Sequence, residues 1–192
     1  VLAPMAGVTD AAFRRICREM GAGLTVGEMV ASEERLRDTR KSAGRWRVDP
    51  DDPFPVIQIL GADPSEMADA AQYAEAAGAK AVDINFGCPA RMVCGKACGS
   101  ALMQYPETET AIVRAVVQAV DYPVTVKMRT GWDEAHKNAV ELAAAFEAEG
   151  ARMLTVHGRT RAQRFTGTAE YETVRRVAQS VRIPVIVNGD AD

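Results

Sequence analysis

A chain of 192 residues with 47% hydrophobic content is long enough to bury one core of its own. Its net charge of -3 argues against nucleic-acid binding through an overall basic field, and no apolar run approaches the roughly eighteen residues of a membrane span. Four cysteines without a secretory leader point to a reducing compartment, with the cytoplasm as the expected location; the opening at Val1-Leu2-Ala3 leaves room for a missing natural N-terminus.

In chain order, strand-like runs are expected at residues 1–3, 24–26, 56–60, 81–85, 124–128, 153–157 and 185–188. Helical segments lie between most of them. Phe13, Ile16, Cys17 and Met20 recur at helical spacing, which assigns Cys17 to the core. Asp63-Pro64-Ser65-Glu66 combines an N-cap, a proline at the first helical position and a carboxylate at the third, and Gly78 supplies the stop. Further helices are expected over 108–120, before Asp121-Tyr122-Pro123, and over 134–149, before Gly150.

Strand and helix alternating throughout imply a parallel sheet with right-handed crossovers, either doubly wound or closed as a (β/α)8 TIM barrel. The chemistry-bearing residues are spread over many strand ends: Pro4-Met5-Ala6-Gly7, Glu28, Gln58, Asn85 with Cys88, Lys127 with Arg129, His157, and Asn188-Gly189-Asp190. That distribution favours the barrel, and no glycine-rich dinucleotide fingerprint follows the first strand. Only about seven strands can be counted before Asp192, so the chain is expected to be a fragment, one incomplete barrel domain over residues 1–192.

The richest stretch is Asp83-Ile84-Asn85-Phe86-Gly87-Cys88-Pro89. Alternation along a strand puts Ala81, Asp83 and Asn85 on one face and Val82, Ile84 and Phe86 on the other. Gly87 lets the backbone turn and Pro89 biases Cys88 toward an extended conformation, which holds a thiol at a strand end as a candidate reagent. The bland alternative is a buried structural cysteine. A metal site is disfavoured, because the C-x5-C-x3-C spacing of Cys88, Cys94 and Cys98 matches neither zinc pairs nor common iron–sulfur runs. Two basic clusters, Arg35, Arg37, Arg40, Lys41, Arg45 and Arg47, then Arg159, Arg161 and Arg164, are candidates for phosphate contact. Glu33, Glu34, Asp38 and Asp49 interleave with the first, as on any solvated surface.

Taken in order, several segments resemble the flavin-dependent tRNA-dihydrouridine synthases, most closely the bacterial B-type branch. They are Ala3-Pro4-Met5-Ala6-Gly7-Val8-Thr9-Asp10, Gln58-Ile59, the Cys88 stretch, Gly99-Ser100-Ala101-Leu102-Met103, Lys127-Met128-Arg129-Thr130-Gly131, His157-Gly158-Arg159-Thr160-Arg161 and Asn188-Gly189-Asp190. The resemblance implies FMN at the barrel mouth and reduction of the C5–C6 double bond of a uridine in the D-loop of tRNA, with NAD(P)H, expected to be NADPH, as reductant. Cys88 would then be the general acid, delivering a proton to C5 while flavin hydride reaches C6. Asn85 would hold the uracil edge, with Arg129 and Arg159 as further substrate contacts. Pro4, Met5, Ala6, Gln58, Lys127, His157, Asn188, Gly189 and Asp190 would contact the cofactor, Lys127 placing positive charge beside the flavin ring.

The resemblance also implies an eighth βα unit and a helical tRNA-binding domain that this chain lacks, a protein monomeric when full length, and weak FMN and tRNA binding by these 192 residues alone. Two departures stand out. Met92 replaces a basic residue, with Arg91 and Lys96 close enough in sequence to compensate, and Cys98 replaces an alanine and could oxidise with Cys88. The alternatives are another barrel flavoprotein acting on free pyrimidines and an RNA-binding protein that has lost catalysis.

Overall fold

The computed structural model describes residues 1–40, 42–94 and 97–190, without the side chains of Arg91 and Met92. Lys41 of the first basic cluster and Lys96 near Cys88 lie outside the described residues, as do the side chains at the Met92 departure. The elements run α1 (Ala11–Glu19), β1 (Val30–Ala31), α2 (Ala43–Trp46), β2 (Val56–Leu60), α3 (Pro64–Ala76), β3 (Ala81–Phe86), α4 (Arg91–Cys94), α5 (Pro106–Ala119), β4 (Val124–Arg129), α6 (Ala139–Ala148), β5 (Met153–His157), α7 (Glu172–Ser180) and β6 (Val185–Asn188). Short 3-10 turns cover Glu34–Leu36 and Gly99–Gln104.

The six strands form one parallel sheet in the order β1-β2-β3-β4-β5-β6, alternating with helices as a partial (β/α) barrel. Each strand pairs with its successor in sequence, as short right-handed crossovers require. Odd and even positions separate cleanly. Ile57, Ile59, Val82, Ile84, Phe86, Val126, Met128, Leu154 and Val156 pack outward into one core against Met67, Ala70, Ala71 and Ala74 of α3, Ile112, Val113 and Val116 of α5, and Leu142 and Phe146 of α6. The Phe86 and Phe146 rings lie 5.6 Å apart in that core. The opposite face carries Gln58, Asp83, Asn85, Thr125, Lys127 and Thr155. Register sets Gln58 beside Asp83, Asn85 beside Lys127 and Arg129 beside His157, itself beside Asn188.

Helix α3 starts where its cap directs: the Asp63 carboxylate accepts from the N–H groups of Ser65 and Glu66, and Gly78 at φ +96 follows the end. Elsewhere the expected elements are corrected. The runs at 1–3 and 24–26 are single parallel bridges, Leu2 to Thr25 and Val26 to Val56, because Pro4, which has no N–H, and Gly27 follow each three-residue run. Strand β1 was not expected; its two residues carry no alternating pattern. The helix expected from 134 begins at Ala139, because Asp133 Oδ1 accepts from the N–H groups of Ala135 and His136 and holds a turn there. Cys17 is not in the core: α1 buries no residue, and Ile16 and Met20 are 55% and 84% exposed.

Candidate active site

The C-terminal ends of the strands open onto a cavity of about 690 Å³. Its wall brings together Pro4, Met5 and Ala6 from the first loop, Gln58 from β2, Asn85 and Cys88 from the β3 end, Lys127 and Arg129 from β4, His157 from β5 and Asn188 from β6. Met29, Arg164 and Phe165 join them. Arg159, Gly189 and Asp190, expected at the site, do not line this cavity.

Cys88 sits on a turn fixed from two sides. The Asn85 Oδ1 accepts from the N–H groups of Gly87 and Cys88 at 3.1 and 2.9 Å, and Ser100 Oγ donates to the Cys88 carbonyl at 2.9 Å. Gly99 is at φ +59, and a Cβ there would stand 2.8 Å from that carbonyl, so only glycine admits this approach. Burial pushes the Cys88 thiol up, against the opposing pull of the Ala90 N–H and of the Arg129 and Lys127 charges. The thiol therefore stays protonated at neutral pH, the state a proton donor needs.

Asn85 Nδ2 donates to Gln58 Oε1 at 2.8 Å, and Gln58 Nε2 donates to Asp83 at 2.6 Å, so both amides are engaged with each other and with the turn. Lys127 Nζ donates to Asn188 Oδ1 at 2.8 Å, and burial lowers its pKa to about 8. His157 is lowered to about 4, by burial first and then by Arg129, Lys127 and Arg159, so it is a neutral imidazole. Its buried Nδ1 has no partner. Among the described residues it is the cavity-lining side chain with such an orphaned atom, a place for a ligand's polar group.

The two arginines expected to meet substrate are turned to the protein. Arg129, 2% exposed, donates to the carbonyls of Gly87, Thr160 and Arg164 at 2.8, 2.9 and 2.7 Å. Arg159, 6% exposed, donates to the Thr166 and Gly167 carbonyls and to the Asp190 carboxylate. Together they clamp the segment from Thr160 to Gly167, with Arg164 at φ +53, and present Phe165 72% exposed at the cavity rim. Its ring meets the His157 ring edge-on at 6.4 Å, and the Arg129 guanidinium lies 5.4 Å above it. Asp190 also accepts from the Ala169 N–H, which makes it a tie for this segment.

Sequence reasoning placed Asp83 on the Asn85 face without giving it a role, and passed over Phe165 and the part played by Glu28. Glu28 accepts from the Gly7 N–H and from Arg45, pinning the first loop against the cavity. An acid inside an otherwise apolar strand was the available signal for Asp83; no periodicity marks Phe165. In the first basic cluster Arg45 pairs with Glu28, Arg35 with Glu33, and Arg37 lies over Tyr73. In the second, Arg161 covers the Trp132 ring at 4.2 Å and Arg164 is exposed. Among the described residues no helix is long and apolar enough to cross a membrane.

The dihydrouridine synthase (Dus) family model matches residues 1–192. The chain is 52% identical over 192 residues to tRNA-dihydrouridine synthase B of Pseudomonas aeruginosa, covering all of this chain and 58% of that protein. It is 52% identical over 191 residues to the proteins of that name from Salmonella typhimurium and Escherichia coli, covering 99% of this chain and 59% of each. The chain thus spans a little over half the length of these relatives. Among solved structures it is similar to a putative phosphonomutase from Burkholderia cenocepacia, TM-score 0.61 at 18% identity, covering 94% of this chain and 75% of that one. It is also similar to a 2,3-dimethylmalate lyase, TM-score 0.61 at 17% identity, covering 100% and 69%. At such identities the likeness speaks for the fold alone.

Proposed function

The chain belongs to the dihydrouridine synthase family, and from that premise we propose that it forms the catalytic part of an enzyme reducing the C5–C6 double bond of a uridine in tRNA, with FMN as cofactor and NADPH as reductant. The observation that carries the reading is Cys88: a thiol in the cavity wall, kept protonated by burial, on a turn held by Asn85 and Ser100. It donates its proton to C5 of the base. Arg129 and Lys127 nearby receive the sulfur as thiolate, since their charges favour that form.

The residues present fit a flavin. The unpartnered Nδ1 of His157, the Lys127 ammonium, the remaining lone pair of Gln58 Oε1, the first-loop backbone at Pro4, Met5 and Ala6, and Asn188 offer polar contacts around an otherwise apolar wall. These residues would hold FMN with its ring in the cavity, where it would supply a hydride for C6. Gly189 and Asp190 act one step back: Gly189 closes on the His157 ring and Asp190 ties the Arg159 segment. Arg129 and Arg159 serve the substrate through the segment they hold, which sets Phe165 at the rim as an apolar face for a base taken out of its stack.

Cys88→Ala in the intact protein tests this. With FMN and NADPH on unmodified tRNA, dihydrouridine formation is expected to fall about 10²- to 10⁴-fold, the range for loss of a general acid. Undiminished turnover of tRNA by the variant, or turnover of free uracil in preference to tRNA by the parent, overturns the reading.

A further inference from the structure

Asp83 lies one layer below the cavity, 3% exposed on the inner face of β3. Its Oδ1 accepts from Thr125 Oγ1 and its Oδ2 from Gln58 Nε2, both at 2.6 Å. From Gln58 the bonds continue to Asn85 and from Asn85 Oδ1 to the N–H groups of Gly87 and Cys88. Asp83, Gln58 and Asn85, on two adjacent strands, therefore form one unbroken line ending at the reactive thiol's own backbone.

Each amide in the line has one usable orientation. Both oxygens of Asp83 accept, so Gln58 turns its NH2 to Asp83 and its oxygen to Asn85. Asn85 then turns its NH2 to Gln58 and its oxygen to the turn. The two backbone N–H groups impose the same polarity from the other end, so a flip at either amide sets donor against donor somewhere along the line. Left unpaired in this buried place, such a group is costly.

We propose that Asp83 is a positioning residue: through Gln58 and Asn85 it fixes the Gly87–Cys88 turn and so the place of the thiol. That the thiol is a proton donor is taken from the function proposed above. The line itself stands without it, and is tested without flavin or RNA.

The test reverses the polarity at one joint. Gln58→Glu faces one carboxyl with another, so the line holds while the pair shares a proton and breaks at the pH where that proton leaves; exchange is therefore read from about pH 6 to 9. Adding Asp83→Asn mends it, since the amide introduced at position 83 donates to the carboxylate introduced at position 58, Thr125 still donates to the amide oxygen, and Asn85 keeps its orientation. Amide hydrogen exchange is read at Gly87 and Cys88 against Val126 of the neighbouring strand, together with iodoacetamide labelling of Cys88 against Cys17 on α1. Q58E is expected to speed exchange at 87 and 88 by about tenfold or more relative to Val126, and Q58E/D83N to recover most of that loss, a coupling of the size seen between residues in contact. Labelling of Cys88 should follow the same order while Cys17 stays constant. A single variant that fails to fold beside a double variant that folds is the same result in stronger form. Exchange at 87 and 88 unchanged in Q58E through the top of that pH range, an equal rise at Val126, or a double variant no better than the single overturns the proposal. Because neither readout involves catalysis, a failed tRNA assay and a failed relay remain separate results.

Discussion

Lys127 Nζ donates to Asn188 Oδ1 across 2.8 Å, joining β4 to β6 over the intervening β5. Burial holds this amine at about 8, with Asp83 pulling upward and Arg129 downward. The folded chain then binds fewer protons than the unfolded chain between pH 8 and 10.5, so its stability rises with pH across that window. Below pH 8 the cost of burying the charge is present in full. Lys127→Met should be more stable than the parent at pH 7, by a margin that narrows above pH 8 and closes near 10.5. Urea titrations of both proteins at several pH values check this. A constant margin would count against a buried cation at this place.

Glu109 gives the opposite sign. It is fully buried in the first turn of α5, both carboxylate oxygens are without a partner, and burial raises its pKa well above the usual range. The folded chain holds a proton there that the unfolded chain releases, so stability is lost as pH rises from the unfolded value of about 4.5. Glu109→Leu should stabilise the chain at pH 7 by about 1–3 kcal/mol, the cost of an unpaired buried polar group. The gain should shrink toward pH 4. Destabilisation by this substitution would mean that the carboxyl has a partner in solution.

Besides bonds of its own through Gln163, the segment from Thr160 to Gly167 is held by Arg129 of β4 and by Arg159 just before it. Arg159→Ala removes the bonds to the Thr166 and Gly167 carbonyls and leaves the Asp190 carboxylate with the Ala169 N–H alone as its hydrogen-bond partner among the described residues. Trypsin cleavage at Arg161 and Arg164 should then accelerate by about tenfold or more through local opening, while the thermal midpoint of the core changes little. Equal cleavage rates would show that the segment holds its own shape.

Much of this architecture was legible because a two-residue period and a glycine or proline boundary coincide. Ala81 to Phe86 separates into Asp83 and Asn85 inside and Val82, Ile84 and Phe86 outside, as alternation requires, and α3 starts at its expected cap. Legibility fails where tertiary contacts decide. The helix after Gly131 starts late because the Asp133 turn folds the His136 carbonyl back against Gly131, where a Cβ would lie 2.2 Å from it, a packing that depends on the whole turn. At the site, cysteine, lysine and histidine were recognisable by type and strand end. The engagement of Arg129 and Arg159 with backbone carbonyls was not, since a guanidinium suits phosphates and carbonyls equally. Helix α1 misled for a similar reason: its spacing is amphipathic, but nothing in a spacing says what covers the apolar side.

That uncovered side has a practical consequence. Phe13, Ile16 and Met20 form an apolar stripe in contact with water, near Met5 and Val8 in sequence, which are exposed as well. Salts that strengthen apolar association will make preparations of this polypeptide sticky, whereas its charge of -3 offers little mutual repulsion to keep molecules apart. Purification in dilute, low-sulfate buffer follows directly from one helix whose apolar side the described residues leave bare.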